Sequence, residues 1–311
     1  MAIDNVSQAN PTNGNLADSS LPRLMGVLNT TPDSFSDGGK FTSLEAALAQ
    51  AKLLISQGAT IIDVGGESTR PGATRLTAAE EQSRVIEVIQ ALAQLPEVAS
   101  GGVAISIDTM NASTAVLAAE AGASIINDVS GSKADPKMFA AVANLAAGGI
   151  PVKYVLGHWG NFDEGAGAVQ ETENIVASVV GELAERAQLA ETAGVKRAQL
   201  ILDPGLGFGK SSEQNWQLVA GVSQLAKLDL PILIGASRKR FLAASVAEAA
   251  GIDAADVTLA QRDAATAELS VRLWNESQLG GFADKLWGFR VHNVQANFDV
   301  LQAAAALRFA H

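Results

Sequence analysis

The sequence predicts a single α/β domain of the (β/α)8, or TIM-barrel, class behind a flexible N-terminal tail, and three observations carry that prediction. Short apolar runs alternate with longer amphipathic stretches from Leu24 onward, the pattern of parallel strands returning through helices. The alternation repeats eight times, which is the strand count of a closed barrel. No Gly-x-Gly-x-x-Gly follows the first run, which weakens the rival doubly wound open sheet.

The strand candidates, in order, are Leu24–Leu28, Thr60–Val64, Val103–Ile107, Ser124–Ile126, Pro151–Leu156, Gln199–Leu202, Pro231–Ile234 and Leu286–Val291. Each precedes a helical pattern. Leu44–Gln57, Ala78–Leu95, Val169–Ala193 and Asp256–Ser277 carry apolar residues three and four apart, as an outer ring of helices requires. With 311 residues and 48% hydrophobic content the chain can bury one large core. Residues 1–22, rich in Asn, Ser, Asp and Pro, read as a disordered extension without a secretory signal, and residues 23–311 as the barrel domain.

A net charge of −11 disfavours nucleic acid as a partner, and no apolar run is long enough to suggest a membrane span. Cysteine is absent, which removes disulfides and thiolate metal sites and suits a cytoplasmic protein.

In a barrel, chemistry gathers at the C-terminal ends of the strands. Strand one runs into Asn29-Thr30-Thr31-Pro32-Asp33-Ser34-Phe35-Ser36-Asp37-Gly38-Gly39, and strand two into Gly65-Gly66-Glu67-Ser68-Thr69-Arg70-Pro71-Gly72. Strand three ends on Asp108-Thr109, strand four on Asn127-Asp128, and strand six on Asp203-Pro204-Gly205-Leu206-Gly207-Phe208-Gly209-Lys210. Ser237-Arg238-Lys239 follows strand seven, and Arg290-Val291-His292 closes strand eight. Taken singly, an Asp after a strand is most simply a helix N-cap, and so is His292 before the last helix. Their joint placement on one rim argues for a site instead.

Residue types narrow the ligand. Carboxylates at the ends of apolar strands need donors, and a flat heterocycle with neighbouring ring N–H and amino groups supplies them in pairs. Asp203 can accept both bonds of a 2-amino-4-oxopyrimidine edge, Asn127 offers a donor and an acceptor, and Lys239 can donate to a ring oxygen and nitrogen. Arg70, Lys239, Arg290 and His292, with Asn29 opposite, form a cationic group suited to phosphate oxygens, so pyrophosphate fits. No His or Cys spacing marks a transition-metal site, but Mg2+ held mainly by pyrophosphate and touched by Asn29 is compatible.

These strings, in this order, resemble the signatures of the dihydropteroate synthase family over roughly Leu24 to the C-terminus. The resemblance implies a transferase that joins a pterin pyrophosphate to p-aminobenzoate through dissociative loss of pyrophosphate. It also implies a homodimer. Asp108, Asn127, Asp203 and Lys239 match the pterin pocket, with Gly207 and Phe208 beside the ring. Asn29, Arg70, Arg290 and His292 match the pyrophosphate and magnesium region. Phe35, Asp37, Thr69 and Pro71 match catalytic loops closing over p-aminobenzoate, and Ser237 a group near its carboxylate. A pterin-binding methyltransferase barrel and a non-catalytic pterin binder share part of this pattern.

The sequence departs from the family after strand five. Leu156-Gly157-His158-Trp159-Gly160 stands where Met-His-Met is usual, and Thr30 and Asn293 are milder departures. Glycine at 157 implies vacated space beside the pterin, with Trp159 a candidate to refill it. On that reading Gly157→Met is tolerated and tightens pterin binding slightly.

Overall fold

The structure, a computed structural model, describes residues 21–30, 40–67, 76–162 and 168–309. All eight expected strands form. They are β1 Arg23–Asn29, β2 Ile61–Gly65, β3 Ala104–Asp108, β4 Ile125–Asp128, β5 Lys153–Gly157, β6 Leu200–Asp203, β7 Ile232–Ile234 and β8 Leu286–Val291. Every neighbouring pair is parallel, and β1 pairs with β8, so the sheet closes into a barrel. A register shift between Ile232 and Leu233 marks the β7–β8 seam.

Helices follow as a ring: α1 Lys40–Ser56, α2 Ala78–Ala93, α3 Pro96–Ala99, α4 Ala112–Glu120, α5 Met138–Ala147, α6 Ile175–Thr192, α7 Ser212–Ala220, α8 Val222–Ala226, α9 Arg240–Ala250, α10 Leu259–Leu279 and α11 Val294–Phe309. Caps set their starts. The periodicity predicted α6 from Val169, but the Asn174 side chain accepts from the Ala177 amide at 3.0 Å and begins the helix there. Thr77 and Thr258 form capping boxes with Glu80 and Gln261, fixing α2 and α10 in the same way.

The period of two along each strand sorts the side chains into two cores. Outward residues such as Ile62, Ile107, Tyr154, Leu202 and Phe289 pack under the helices. Inward, Met25, Ile61, Ile125, Val155, Ile201 and Leu233 form an apolar plug, with Ala104 and Trp287 against it. Two residues further along, the inward positions change character to Asp63, Ser106, Asn127, Gly157 and Asp203. A polar layer therefore rests on an apolar one, at the C-terminal end of the barrel.

Gly157 corrects the expectation of vacated space. A Cβ there would lie 2.5 Å from the Val129 Cα and 2.6 Å from the carbonyl oxygens of Asp128 and Val129. The backbone of β4 already occupies the room a side chain would take. The obstacle is main chain, which cannot swing aside. Gly157→Met should therefore destabilise the fold by about 2–3 kcal/mol, read as a lowered midpoint in urea unfolding; an unchanged midpoint would show that β4 can retreat.

Candidate active site

Three of the expected pterin-facing residues are not caps. The N-cap of α4 is Asn111, that of α5 is Lys137, and that of α7 is Ser211. Asp108, Asn127 and Asp203 precede these positions and point into the barrel mouth, 8%, 1% and 6% exposed. His292 is not a cap either, because the Asn293 side chain accepts from the Ala296 amide at 3.0 Å at the start of α11. None of these residues is thus a helix cap, and of the three acids and amides only Asp203 takes a local bond, accepting from the Gly205 amide.

At the centre lies an ion-pair arrangement that the strand-end reading missed in part. Arg290 donates from Nε to Asp63 Oδ2 and from a terminal nitrogen to Asp108 Oδ2, both at 2.6 Å. Asp63 is wholly buried on β2. Its Oδ2 also accepts from Asn127 Nδ2 at 3.2 Å. A carboxylate is acceptor-only when ionised, so this bond fixes the sense of the Asn127 amide and leaves Oδ1 as the free acceptor. The sequence signal was an acid inside Ile61-Ile62-Asp63-Val64, in phase with the inward positions.

The charges follow from this packing. Burial opposes the Arg290 charge, but Asp63 and Asp108 overcome that and hold it protonated beyond its usual range. Burial drives the Asp108 carboxyl upward, and Arg290 only partly offsets it. Asp203 is also raised by burial, against the hydrogen bond that its Oδ1 accepts from the Gly205 amide at 2.7 Å. Lys239 is lowered to about 8 by burial and then by Arg290, with Asp203 and Asp108 opposing.

The glycine-rich turn after β6 presents Phe208 beneath Lys239, whose Nζ lies 3.9 Å from the ring centroid. Gly207 has a φ of +80°, and a Cβ there would meet the Lys239 side chain at 2.9 Å. Glycine is thus required twice, for conformation and for space. Arg238 turns away and pairs with Asp263 through two bonds of 2.7 and 2.8 Å, leaving Lys239 as the inward cation of its motif.

Ser237 and His292 lie together across the β7–β8 seam. The Ser237 hydroxyl accepts from the His292 amide at 3.1 Å and contacts Nδ1 at 3.0 Å. Burial, then Arg290 and Arg238, lowers His292 to about 3, so it is a neutral hydrogen-bonding group at ordinary pH and not the cation its place among arginines suggested. Asn29 is exposed at the end of β1, paired in register with Gly65 of β2. Phe35, Asp37, Thr69, Arg70 and Pro71 lie outside the described residues.

Lys210 and His158 form a second unforeseen feature. The buried Lys210 ammonium donates to the carbonyls of Gly205 and Phe208 at 2.9 Å, to that of His158 at 3.4 Å, and to His158 Nδ1 at 2.9 Å. Burial lowers Lys210 to about 7 and His158 to about 4. With Nδ1 accepting, the imidazole proton sits on Nε2, 3.2 Å from the Glu182 carboxylate. This network binds the β6 turn to the end of β5. Lysine after a glycine run had been legible only as part of a string.

The family profile described as a pterin binding enzyme matches residues 25–276. The chain belongs to the pterin-binding enzymes of the dihydropteroate synthase family. A dihydropteroate synthase of Mycobacterium leprae is 40% identical over 285 residues, 91% of this chain and 93% of that one. The Xanthomonas albilineans dihydropteroate synthase solved with 4-aminobenzoic acid is 38% identical, with a TM-score of 0.75 and 93% of each chain covered. Its complex with 7,8-dihydropteroate aligns at 36% identity and a TM-score of 0.72, over 93% of this chain and 94% of that one. Among the described residues of this pterin-binding enzyme, no group of three or more His, Asp or Glu could hold a metal, and no helix is long and apolar enough to cross a membrane.

Replacing Arg290 by Met would strand two buried carboxylates. We expect a loss of about 3 kcal/mol at alkaline pH, measured by urea unfolding. Asp108, already raised to about 7 by burial beside Arg290, would rise further without that partner. The charge-dependent part of the deficit should therefore be full at alkaline pH and shrink as pH falls toward about 7. A pH-independent deficit would mean that packing, not charge, is what Arg290 contributes.

Proposed function

We propose that this enzyme joins 6-hydroxymethyl-7,8-dihydropterin pyrophosphate to p-aminobenzoate, giving 7,8-dihydropteroate and pyrophosphate. The observation that carries the reading is the polar layer in the barrel mouth, where Asp108, Asn127 and Asp203 face inward beside Lys239 and Arg290. The relatives solved with 4-aminobenzoic acid and with 7,8-dihydropteroate support the same pair of substrates.

In this reading Asp203 accepts from the ring N–H and amino group, Asn127 Oδ1 accepts from the amino group, and Lys239 donates to the ring oxygen and a ring nitrogen. Gly207 and Phe208 bound the ring. Asp108 exchanges part of its contact with Arg290 for donors of the ligand. Arg290, His292 and Arg70 receive the pyrophosphate, His292 as a neutral donor.

The bond between the pterin methylene and the pyrophosphate oxygen breaks first, and its electrons leave with pyrophosphate. The aniline nitrogen then attacks the cationic methylene and loses its proton. No residue of the chain becomes covalently attached. Asp37 stabilises the developing cation electrostatically, Phe35, Thr69 and Pro71 enclose the p-aminobenzoate, and Ser237 lies near its carboxylate.

Asn29, exposed at the end of β1 beside Gly65 of β2, offers one neutral side-chain oxygen, which suits a Mg2+ ion ligated chiefly by pyrophosphate and water. Such an ion would neutralise charge on the leaving group. We further read the enzyme as cytoplasmic and homodimeric. Exposed Leu259, Leu279 and Leu307 on α10 and α11 are apolar surface that a second copy can cover.

The deciding experiment is an assay of pyrophosphate release from the two substrates with added Mg2+. Release dependent on p-aminobenzoate supports the synthase, whereas pterin binding without release would favour a non-catalytic binder. Methyl transfer without release would favour the methyltransferase reading.

Asp203→Asn should weaken pterin affinity by about 1.5–3 kcal/mol, because an amide cannot accept both ring donors; calorimetry showing unchanged affinity would remove Asp203 from the pocket. Lys239 supplies a pH test of opposite character. Its charge is present below about 8 and lost above it, so the dissociation constant should be flat just below that pH and rise beyond it. The rise should come with proton uptake on binding, seen as a buffer-dependent calorimetric enthalpy.

A further inference from the structure

Trp159 follows Gly157 at the end of β5, and the structure gives the indole a defined place. Gly157 faces inward beside Asp203, its register partner. Two residues on, Trp159 rises from the same side of β5 toward the mouth. Val129 stands two residues after Asn127, and Met110 two after Asp108. These three pack with Phe208 into one apolar cluster above the polar layer. The Trp159 and Phe208 rings lie 4.8 Å apart at 47°, so they form a corner rather than a stack. The other side of that corner is the ring over which Lys239 sits.

Trp159 is 7% exposed, and its buried Nε1 has no acceptor among the described residues. Buried indole N–H groups ordinarily find a partner. Trp159 cannot readily turn to find one, because its backbone is held on both sides. Its carbonyl accepts from Lys133 at 2.9 Å, His158 before it is locked to Lys210, and the Gly160 amide after it donates to the Phe208 carbonyl at 3.4 Å.

Resting on the pterin reading of this pocket, we propose that Trp159 contacts the bound pterin directly, its indole N–H donating to an acceptor atom of the ring while Phe208 supplies the adjoining aromatic wall. Such a donor favours rings with an acceptor at that edge over analogues lacking one, so Trp159 determines specificity as well as affinity.

The test uses the full chain labelled with 15N, whose four tryptophans give four indole N–H resonances. Trp159→Phe identifies the Trp159 signal by its disappearance. Trp159→Met serves the same purpose if the first variant does not fold. On addition of 6-hydroxymethylpterin, the Trp159 resonance should move downfield and exchange more slowly with water, while that of Trp216 stays in place. Removing the donor should weaken the pterin by about threefold to tenfold, the scale of one neutral hydrogen bond. Parallel calorimetry separates two failures. Binding with an unmoved Trp159 resonance overturns the contact and leaves the pterin reading intact, whereas absence of binding removes the pterin reading and the contact with it.

Discussion

One guanidinium holds the mouth of this barrel together. Arg290, on the last strand, reaches across to carboxylates on the second and third, and without it the inward polar layer would place two buried acids side by side. Buried ion pairs add little net stability, but they are costly to break and specific in geometry. Here the geometry propagates. Asp63, fixed by Arg290, fixes the Asn127 amide, and so determines which atom of Asn127 is left without a partner. The recognition surface is set by contacts beneath it.

The rest of the site is arranged by stiffness at a second level. The turn after β6 must pass close to Lys239, bring Phe208 into the mouth and leave Asp203 uncovered, which only glycine at 205, 207 and 209 permits, each with positive φ. A turn with that much freedom needs restraint. Lys210 supplies it from within, and the network through His158 and Glu182 to Lys133 ties the restraint to β5 and α6. Recognition groups and loop anchors thus occupy opposite sides of one short segment.

Much of this was legible in the sequence, for definable reasons. Strands were found because a closed parallel barrel buries both faces of each strand, so every strand reads as an apolar run. Asp108, Asn127 and Asp203 stood out because a polar residue ending such a run is conspicuous, and the structure brings them together at the barrel mouth. Asp63 was missed for the converse reason: it sits inside its run, one inward step below the rim, where attention to strand ends does not fall. His292 was placed correctly among its neighbours, yet its neutrality depends on burial and on the nearby Arg290 and Arg238, which no local string records. The space at Gly157 was misjudged because a glycine shows that a side chain is absent, not what has moved into its place. The α6 start was overrun because periodicity continues through a loop whose helix begins only where Asn174 can cap it.

The setting of Lys210 has a consequence for the medium in which this protein works. Three carbonyl oxygens and an imidazole nitrogen converging on one positive centre resemble the coordination shell that many proteins offer to a dissolved monovalent ion. A dissolved ion exchanges with the surroundings, and its occupancy follows the potassium and sodium content of the solution. Here the positive centre is part of the polypeptide. The order of the turn after β6 therefore follows the protonation of Lys210, lowered to about 7 by burial, and not the supply of a dissolved ion.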